Sequence, residues 1–489
     1  MELTISFMVL LDTFQPVFTS PSFDTFRRLM VGWILSHRHR YVTDLIISSD
    51  SVGHGHYSDY HRFFSHARWV LDQLWKLLAG QLVRHLVGPD AVILLAGDDT
   101  LCRKRGLGLF GGGMHHDPLI SSRKMKLVSW GHDWVGLCLV IVGPWWAPSK
   151  VFALPICMRL YRNRQGVTKD KSKAKTKAKA KKGSQSPSKT KTDPQKRADK
   201  KDRTQTAAKH EAQKAQKAAK TKGNPGHRTR PELMREMLEL VAGWFPHRRF
   251  LFVGDSLYTG ESVLRRLPET MDMIGQVHPA GAMYEPAPQE ESRRGPRRKK
   301  GRRLSSRDEW AADRSRWKRL KFDRYGLHAT LETKTRTGLY YKAGKDRLLR
   351  FVLSRDTQGG RPTQIFYCTD LSMDVCSILS TYAARWSIEV THHDAKQFLG
   401  LEDPANRLPP AVRRTAPMAM FLYSLTILWY ALGGYEHVQF PNRPWYRRKA
   451  EPSFADMLTT LRRLSWEEQI TPVRQKPRLL KKAVERLIH

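Results

Sequence analysis

Tyr382, Arg385, Glu389 and Lys396 place a phenol, a guanidinium, a carboxylate and an ammonium at relative positions 0, 3, 7 and 14 of the run YAARWSIEVTHHDAK. On an α-helix these positions share a stripe about 60° wide. Three hydrogen-bond donors beside one acid suit a phosphodiester held next to a metal ligand. The plainer alternative is a solvated helix face with an i,i+4 ion pair between Arg385 and Glu389. Two further acidic positions differ from ordinary surface acids. Asp98, with Asp99 beside it, closes the apolar run AVILLAGDD, and Asp255 closes RRFLFVGD. Buried carboxylates are costly unless paired or bound to metal. Oxygen ligands from two strand ends and a helix suit hard divalent ions, Mg²⁺ or Mn²⁺, and two such ions can drive an in-line phosphoryl displacement. Taken singly, each strand-end Asp is as readily a turn former.

These side chains need particular elements behind them. No Pro or Gly interrupts the run from Tyr382 until Gly400, which predicts one unbroken helix ending there. AVILLAGDDT reads as a buried central strand that delivers carboxylates at its C-terminal end. Alternation along that strand sends Asp98 and Asp99 to opposite sides, so only one of them reaches the metals. KMKLVSWG, DWVGLCLVIVG and KVFALPICMRLY follow as further strands, PELMREMLELVAGWFP as an amphipathic helix and MDMIGQVHP as another strand. LHATLETKTRTGLYYK, RLLRFVLSRD and TQIFYCTDL read as strands, and the first 87 residues as helices. From Met418 to Leu432, MAMFLYSLTILWYAL is a core helix of about 15 residues, short for a membrane span.

The composition favours a polyanionic partner. Net charge is +39 over 489 residues, and the Lys-rich stretch 169–222 contributes +15 of it, leaving +24 elsewhere (65 basic against 41 acidic). Nucleic acid is the first candidate, ahead of an anionic membrane. Residues 168–230 have almost no large apolar side chain and read as a disordered polycationic loop with no catalytic residue. Five scattered Cys without a CxxC argue against a disulfide framework or thiolate zinc site and suggest a reducing cytoplasm. No basic leader precedes the short N-terminal apolar run, so a signal peptide is not expected, and no membrane partner either.

The spacing of Tyr382, Arg385, Glu389 and Lys396 matches without a gap the Y-(2)-R-(3)-E-(6)-K signature of bacterial insertion-sequence DDE transposases of the insertion-sequence-four superfamily. Asp98-Asp99-Thr100 resembles that family's D-x-T strand end, and Asp255-Ser256-Leu257-Tyr258 its D-x-x-Y. The resemblance implies an α/β, RNase H-like mixed-sheet core with a helical N-terminal domain and a β-rich insertion. It implies a catalytic and metal-binding triad of Asp98 (or Asp99), Asp255 and Glu389, with two Mg²⁺ or Mn²⁺ ions. Tyr382, Arg385 and Lys396 would bind DNA near a transposon end. The expected activity is DNA cleavage and strand transfer by a homodimer on transposon ends and target DNA, in a bacterial, nucleoid-associated cytoplasmic setting. The matching segments would be a DNA-binding domain at 1–87, core parts at 88–167, 231–280 and 376–435, the Lys-rich insert at 168–230, a basic β-rich insertion at 281–375 and a basic tail at 436–489. The Lys-rich insert departs from the family pattern. A non-catalytic relic and a host RNase H-like nuclease are the rival readings.

Several residues remain as lesser candidates. His54, His56, His61 and His66 read as loop and basic-helix residues rather than zinc ligands. His115, His116 and Asp117 read as a polar turn, His393 as a possible phosphate contact with His392 and Asp394 facing solvent. Trp310 and Trp317 either stack on an extruded base or pack on their own strands.

Overall fold

The computed structural model describes residues 2–122, 124–163, 227–288, 298–315, 317–324, 327–441 and 449–470. Residues 1–161 and 229–489 form one compact unit and 162–228 a second. Of the second, only 162, 163, 227 and 228 are described. The expected polycationic loop therefore lies outside the described residues almost entirely, as does the part of the expected basic tail beyond residue 470.

Ten strands make one sheet. β1 (Ile93–Arg103) is an interior strand, antiparallel to β3 (Val128–Val142) on one side and parallel to β5 (Phe250–Gly254) on the other. β2 (Gly113–His116) pairs with the first residues of β3, and β4 (Val151–Tyr161) with the rest. β6 (Met271–Gln276) runs parallel to β5. An antiparallel meander extends the sheet from β6: β10 (Gln364–Cys368), β9 (Leu348–Asp356), β8 (Leu327–Leu339) and β7 (Lys318–Arg324). The order β4-β3-β1-β5-β6, with three antiparallel strands followed by two parallel ones, is an RNase H-like mixed α/β core. The strands expected at 327–370 are β8, β9 and β10, joined edge-on to that core.

The helices pack by their apolar stripes. α1 (Ile5–Asp12), α2 (Ser20–Leu35), α3 (Val42–Ser48), α4 (Tyr57–Ser65) and α5 (Leu71–Leu86) fill the N-terminal region. α6 (Arg230–Trp244) starts at a Thr229–Glu232 capping box with Pro231 in its first turn, a strong local start signal. Short turns α7 (Glu261–Leu264), α8 (Arg307–Ala312) and α9 (Tyr341–Gly344) precede α10 (Val375–Ala384), α11 (Ser387–Leu399), α12 (Pro409–Leu432) and α13 (Phe454–Ile470). α12 is longer than the sequence suggested, because Pro409 and Pro410 sit in its first turn and Pro417 is accommodated inside it. By length and composition it could cross a membrane, yet 89% of its apolar window is buried in protein. Phe14 and Trp75 meet Phe421 edge-on, and Ser424 donates to the Pro155 carbonyl at 2.8 Å, so α12 joins the N-terminal helices to β4.

Two helices cover opposite faces of β1. Thr391 of α11 donates to the Ala153 carbonyl at 2.7 Å, and Ala384 and Ile388 bury against Ala96, Cys138 and Val140. On the other face α6 comes so close at Gly97 that a Cβ there would lie 2.3 Å from Met234 Cε and 3.0 Å from Phe252 Cε2. Glycine at 97 thus lets α6 lie close to the strand one residue before the first acid, and a larger residue there would have to displace the end of Met234.

Candidate active site

Asp98 and Asp255 become neighbours through the ladder between β1 and β5. Its last rung pairs Gly97 with Gly254, so the two acids are the next residue of each strand. The sequence placed the acids at the end of β1, but the strand continues to Arg103 through pairing with β3. Asp98 instead marks where β5 turns away, which opens a mouth in the middle of β1. Asp255 also serves the turn it begins: its Oδ1 accepts the Leu257 and Tyr258 N–H groups at 2.9 and 3.2 Å.

The expected single helix carrying Glu389 is two helices. At the junction the chain tightens: Arg385 N–H bonds to the Tyr382 carbonyl, Trp386 to Ala383, Ile388 to Arg385 and Glu389 to Trp386, all three residues apart. The second helix ends at Gly400, which takes the left-handed conformation (φ 61°, ψ 41°). Despite the break, Arg385 and Glu389 still meet. Arg385 Nη1 donates to Asp98 Oδ2 at 3.0 Å and Nη2 to Glu389 Oε1 at 3.4 Å. One guanidinium thus links an acid of β1 to an acid of α11.

The electrostatics identify a shared centre. Burial pushes Asp98 up to about 7, against the pull of Arg385, and the charges of Asp99 and Asp255 add to the rise. Burial also raises Glu389, with Arg385 opposing and Asp255 contributing. Both acids thus feel Asp255, as Asp99 does too, so the hydrogen bonds of Arg385 and not the charge of Asp255 single out Asp98 and Glu389. Tyr382 stands beside this group: its hydroxyl reaches Gln276 Oε1 at 3.3 Å, its ring contacts Phe366 and lies 5.8 Å from the Arg385 guanidinium carbon. Tyr382, Arg385 and the exposed Trp386 line a cavity of about 560 Å³ with Phe366 and Gln364. Lys396 is apart from this arrangement. Its Nζ donates to the Leu101 carbonyl at 2.7 Å and pairs with Glu402 at 3.4 Å, which fastens α11 to β1.

Three carboxylates at an accessible strand mouth are the right donor type for Mg²⁺ or Mn²⁺. Among the described residues, however, no three His, Cys, Asp or Glu side chains already stand close enough to hold one ion. Arg385 links Asp98 to Glu389 here, so the donor set fits the metal in kind and needs that guanidinium to give way.

Chemistry-bearing residues elsewhere have other surroundings. Asp99 points away from Asp98 and bonds to Tyr258, as alternation required. His115 and Asp117, expected in a polar turn, are buried around β2, and Arg103 grips Asp117 at 2.6 and 3.0 Å. His392, expected in solvent, is buried by α11 against β3 near Gly136, and burial pushes it down to about 3. Asp394 is only 15% exposed, while its neighbour His393 is 71% exposed. Trp310 is buried under the Arg336 guanidinium, and Trp317 lies beneath Lys334 and Arg355, so both pack on their own strands. Sequence reasoning gave no role to Asp133 or Arg230. Asp133, a lone acid opening the apolar run DWVGLCLVIVG, was the available signal; Arg230 had none, since it is the last residue of the stretch 168–230 read as a polycationic loop.

The family profile described as DDE superfamily endonuclease matches residues 14–341. The chain belongs to this family. The match takes in both Asp98 and Asp255 and stops before Glu389, so the third acid rests on the geometry around Arg385. No curated protein matches the chain. As a DDE endonuclease it is a DNA-cleaving, transposase-type nuclease, and the family generally uses divalent metals such as Mg²⁺.

Proposed function

We propose that the chain is a DNA transposase of the insertion-sequence-four type, which cuts transposon ends and joins their 3′-OH groups to target DNA. The observation that carries this reading is the meeting of Asp98 and Glu389 on one guanidinium, with Asp255 at the adjoining strand end. Asp98, Asp255 and Glu389 would hold two divalent ions. Bound there, such ions activate the attacking hydroxyl and neutralise charge on the scissile phosphate.

The protein's own groups do the rest. Arg385 presents a planar fork that matches a phosphodiester as well as a carboxylate, so DNA competes with Asp98 and Glu389 for it. Tyr382 and Trp386 offer flat aromatic surface beside that fork, and the cavity they line has room for a nucleotide-sized part of the strand. Lys396 keeps α11, and with it Glu389, on β1. The surplus positive charge outside the Lys-rich stretch supplies salt-sensitive affinity for the duplex. Two ends must be held together for joining, which calls for a dimer on DNA.

A supercoiled plasmid carrying this gene with its flanking DNA, incubated with protein and Mg²⁺, tests the reading. Nicking followed by joined products supports transposition. Cleavage without joining points to a host-type nuclease, and binding without cleavage to a relic.

A further inference from the structure

The opposite face of β1 carries a second group of acids that the proposed chemistry does not use. The Tyr258 hydroxyl donates to Asp99 Oδ1, and Arg230 Nε lies 3.5 Å from Asp99 Oδ2. Arg230 also grips Asp133 Oδ2, through Nε at 2.6 Å and through Nη2. Asp133 is 1% exposed, with the buried His115 Nδ1 at 3.4 Å. The Arg230 guanidinium carbon lies 4.3 Å over the Tyr161 ring.

Position gives this network its meaning. Asp99 follows Asp98, and Tyr258 closes the turn opened by Asp255. The backbone ladder between β1 and β5 stops at Gly97 and Gly254. Beyond that rung, the hydroxyl-to-carboxylate bond from Tyr258 to Asp99 ties the two acid-bearing segments across the same gap. Arg230 holds the other Asp99 oxygen and anchors it through Asp133 to β3. Tyr161 ends β4 and Arg230 begins α6, so their stacking ties the ends of these two elements together.

We propose that Tyr258 and Arg230 are positioning residues: through Asp99 they fix the spacing of Asp98 and Asp255. The inference rests on the reading of Asp98, Asp255 and Glu389 as the metal-binding acids. Outer partners of metal ligands typically change metal affinity by about 10–100-fold.

The test uses the full chain and two readouts. One is Mn²⁺ binding alone, followed by electron paramagnetic resonance of the free ion; the other is plasmid cleavage as a function of Mg²⁺. Tyr258→Phe should weaken Mn²⁺ binding by about tenfold, raise the Mg²⁺ needed for half-maximal cleavage similarly and recover most of its rate at high Mg²⁺. Duplex affinity should stay within about twofold of wild type, since the network faces away from the DNA side. If Tyr258→Phe fails to fold, Arg230→Lys, which keeps the charge and loses the two-pronged grip, carries the same expectation. Wild-type metal dependence in the folded variant, alongside an inactive Asp255→Asn, would overturn the clamp alone. Full cleavage by Asp255→Asn would instead overturn the underlying reading of the acids.

Discussion

Asp98 and Asp99 are adjacent, identical in type and opposite in fate. On the Asp98 face two carboxylates share a single guanidinium, with Asp255 at the adjoining strand end, and Glu389 is 37% exposed. On the Asp99 face two carboxylates are served by a tyrosine hydroxyl and a two-pronged arginine, and Asp133 is sealed. The first arrangement is short of positive charge and open to solvent, so a cation has both a reason and a route to bind. The second seals Asp133 beneath Arg230, while Asp99 itself is 27% exposed. On the proposed reading, what separates a metal-binding acid from a structural one in this sheet is its set of partners. Residue type and strand position do not distinguish them.

The largest expected effect sharpens that contrast. Asp255→Asn or Glu389→Gln should abolish metal-dependent plasmid cleavage while duplex binding and urea midpoint stay near wild type, because the lost carboxylate is on the open face. Asp133→Asn should act mainly on stability, with cleavage retained at raised Mg²⁺. It breaks a buried pair and should lower unfolding free energy by about 2–3 kcal/mol, reduced from a fully buried case because solvent reaches Arg230. Equal stability losses in both sets would erase the distinction between the faces.

Gly97→Val probes the strand between them. Its Cβ would overlap Met234 and Phe252, so overpacking should cost about 1–3 kcal/mol, read from denaturant unfolding. The smallest effect concerns the far end of the Asp99 side. Arg103, through its hydrogen bonds, holds Asp117 down to about 2, from an ordinary 3.8. A depressed acid contributes stability above its unfolded pKa and loses it as pH falls through the folded one. Stability should therefore decline between about pH 4 and 2 from this pair, and Arg103→Met should flatten that part of the curve of urea midpoint against pH. An unchanged acid limb would show that the pair does not matter to folding.

Much of this arrangement was legible from period and spacing. Alternation alone separated Asp98 from Asp99, and an apolar run ending in acid located β5 and Asp255. The strands themselves were legible from the apolar runs, while their RNase H-like order was implied by the family resemblance. The junction at Arg385 and Trp386 was not legible, because no Pro or Gly marks it and the tightening shows only in three-residue hydrogen bonds. Arg230 was hidden by its neighbours: an arginine at the end of a polycationic stretch has no local feature that reports a partner on β3. Buried His115 and His392 were misread as polar because burial of a histidine depends on what packs over it, which the local pattern does not contain.

Anomalous scattering from crystals grown with Mn²⁺ tests the central claim most directly. The account predicts manganese bonded to oxygens of Asp98, Asp255 and Glu389, with Arg385 turned away and Asp99 still bonded to Tyr258. Manganese seated between Asp99 and Asp133, or absent from the Asp98 side in protein that cleaves DNA with Mn²⁺, would contradict it.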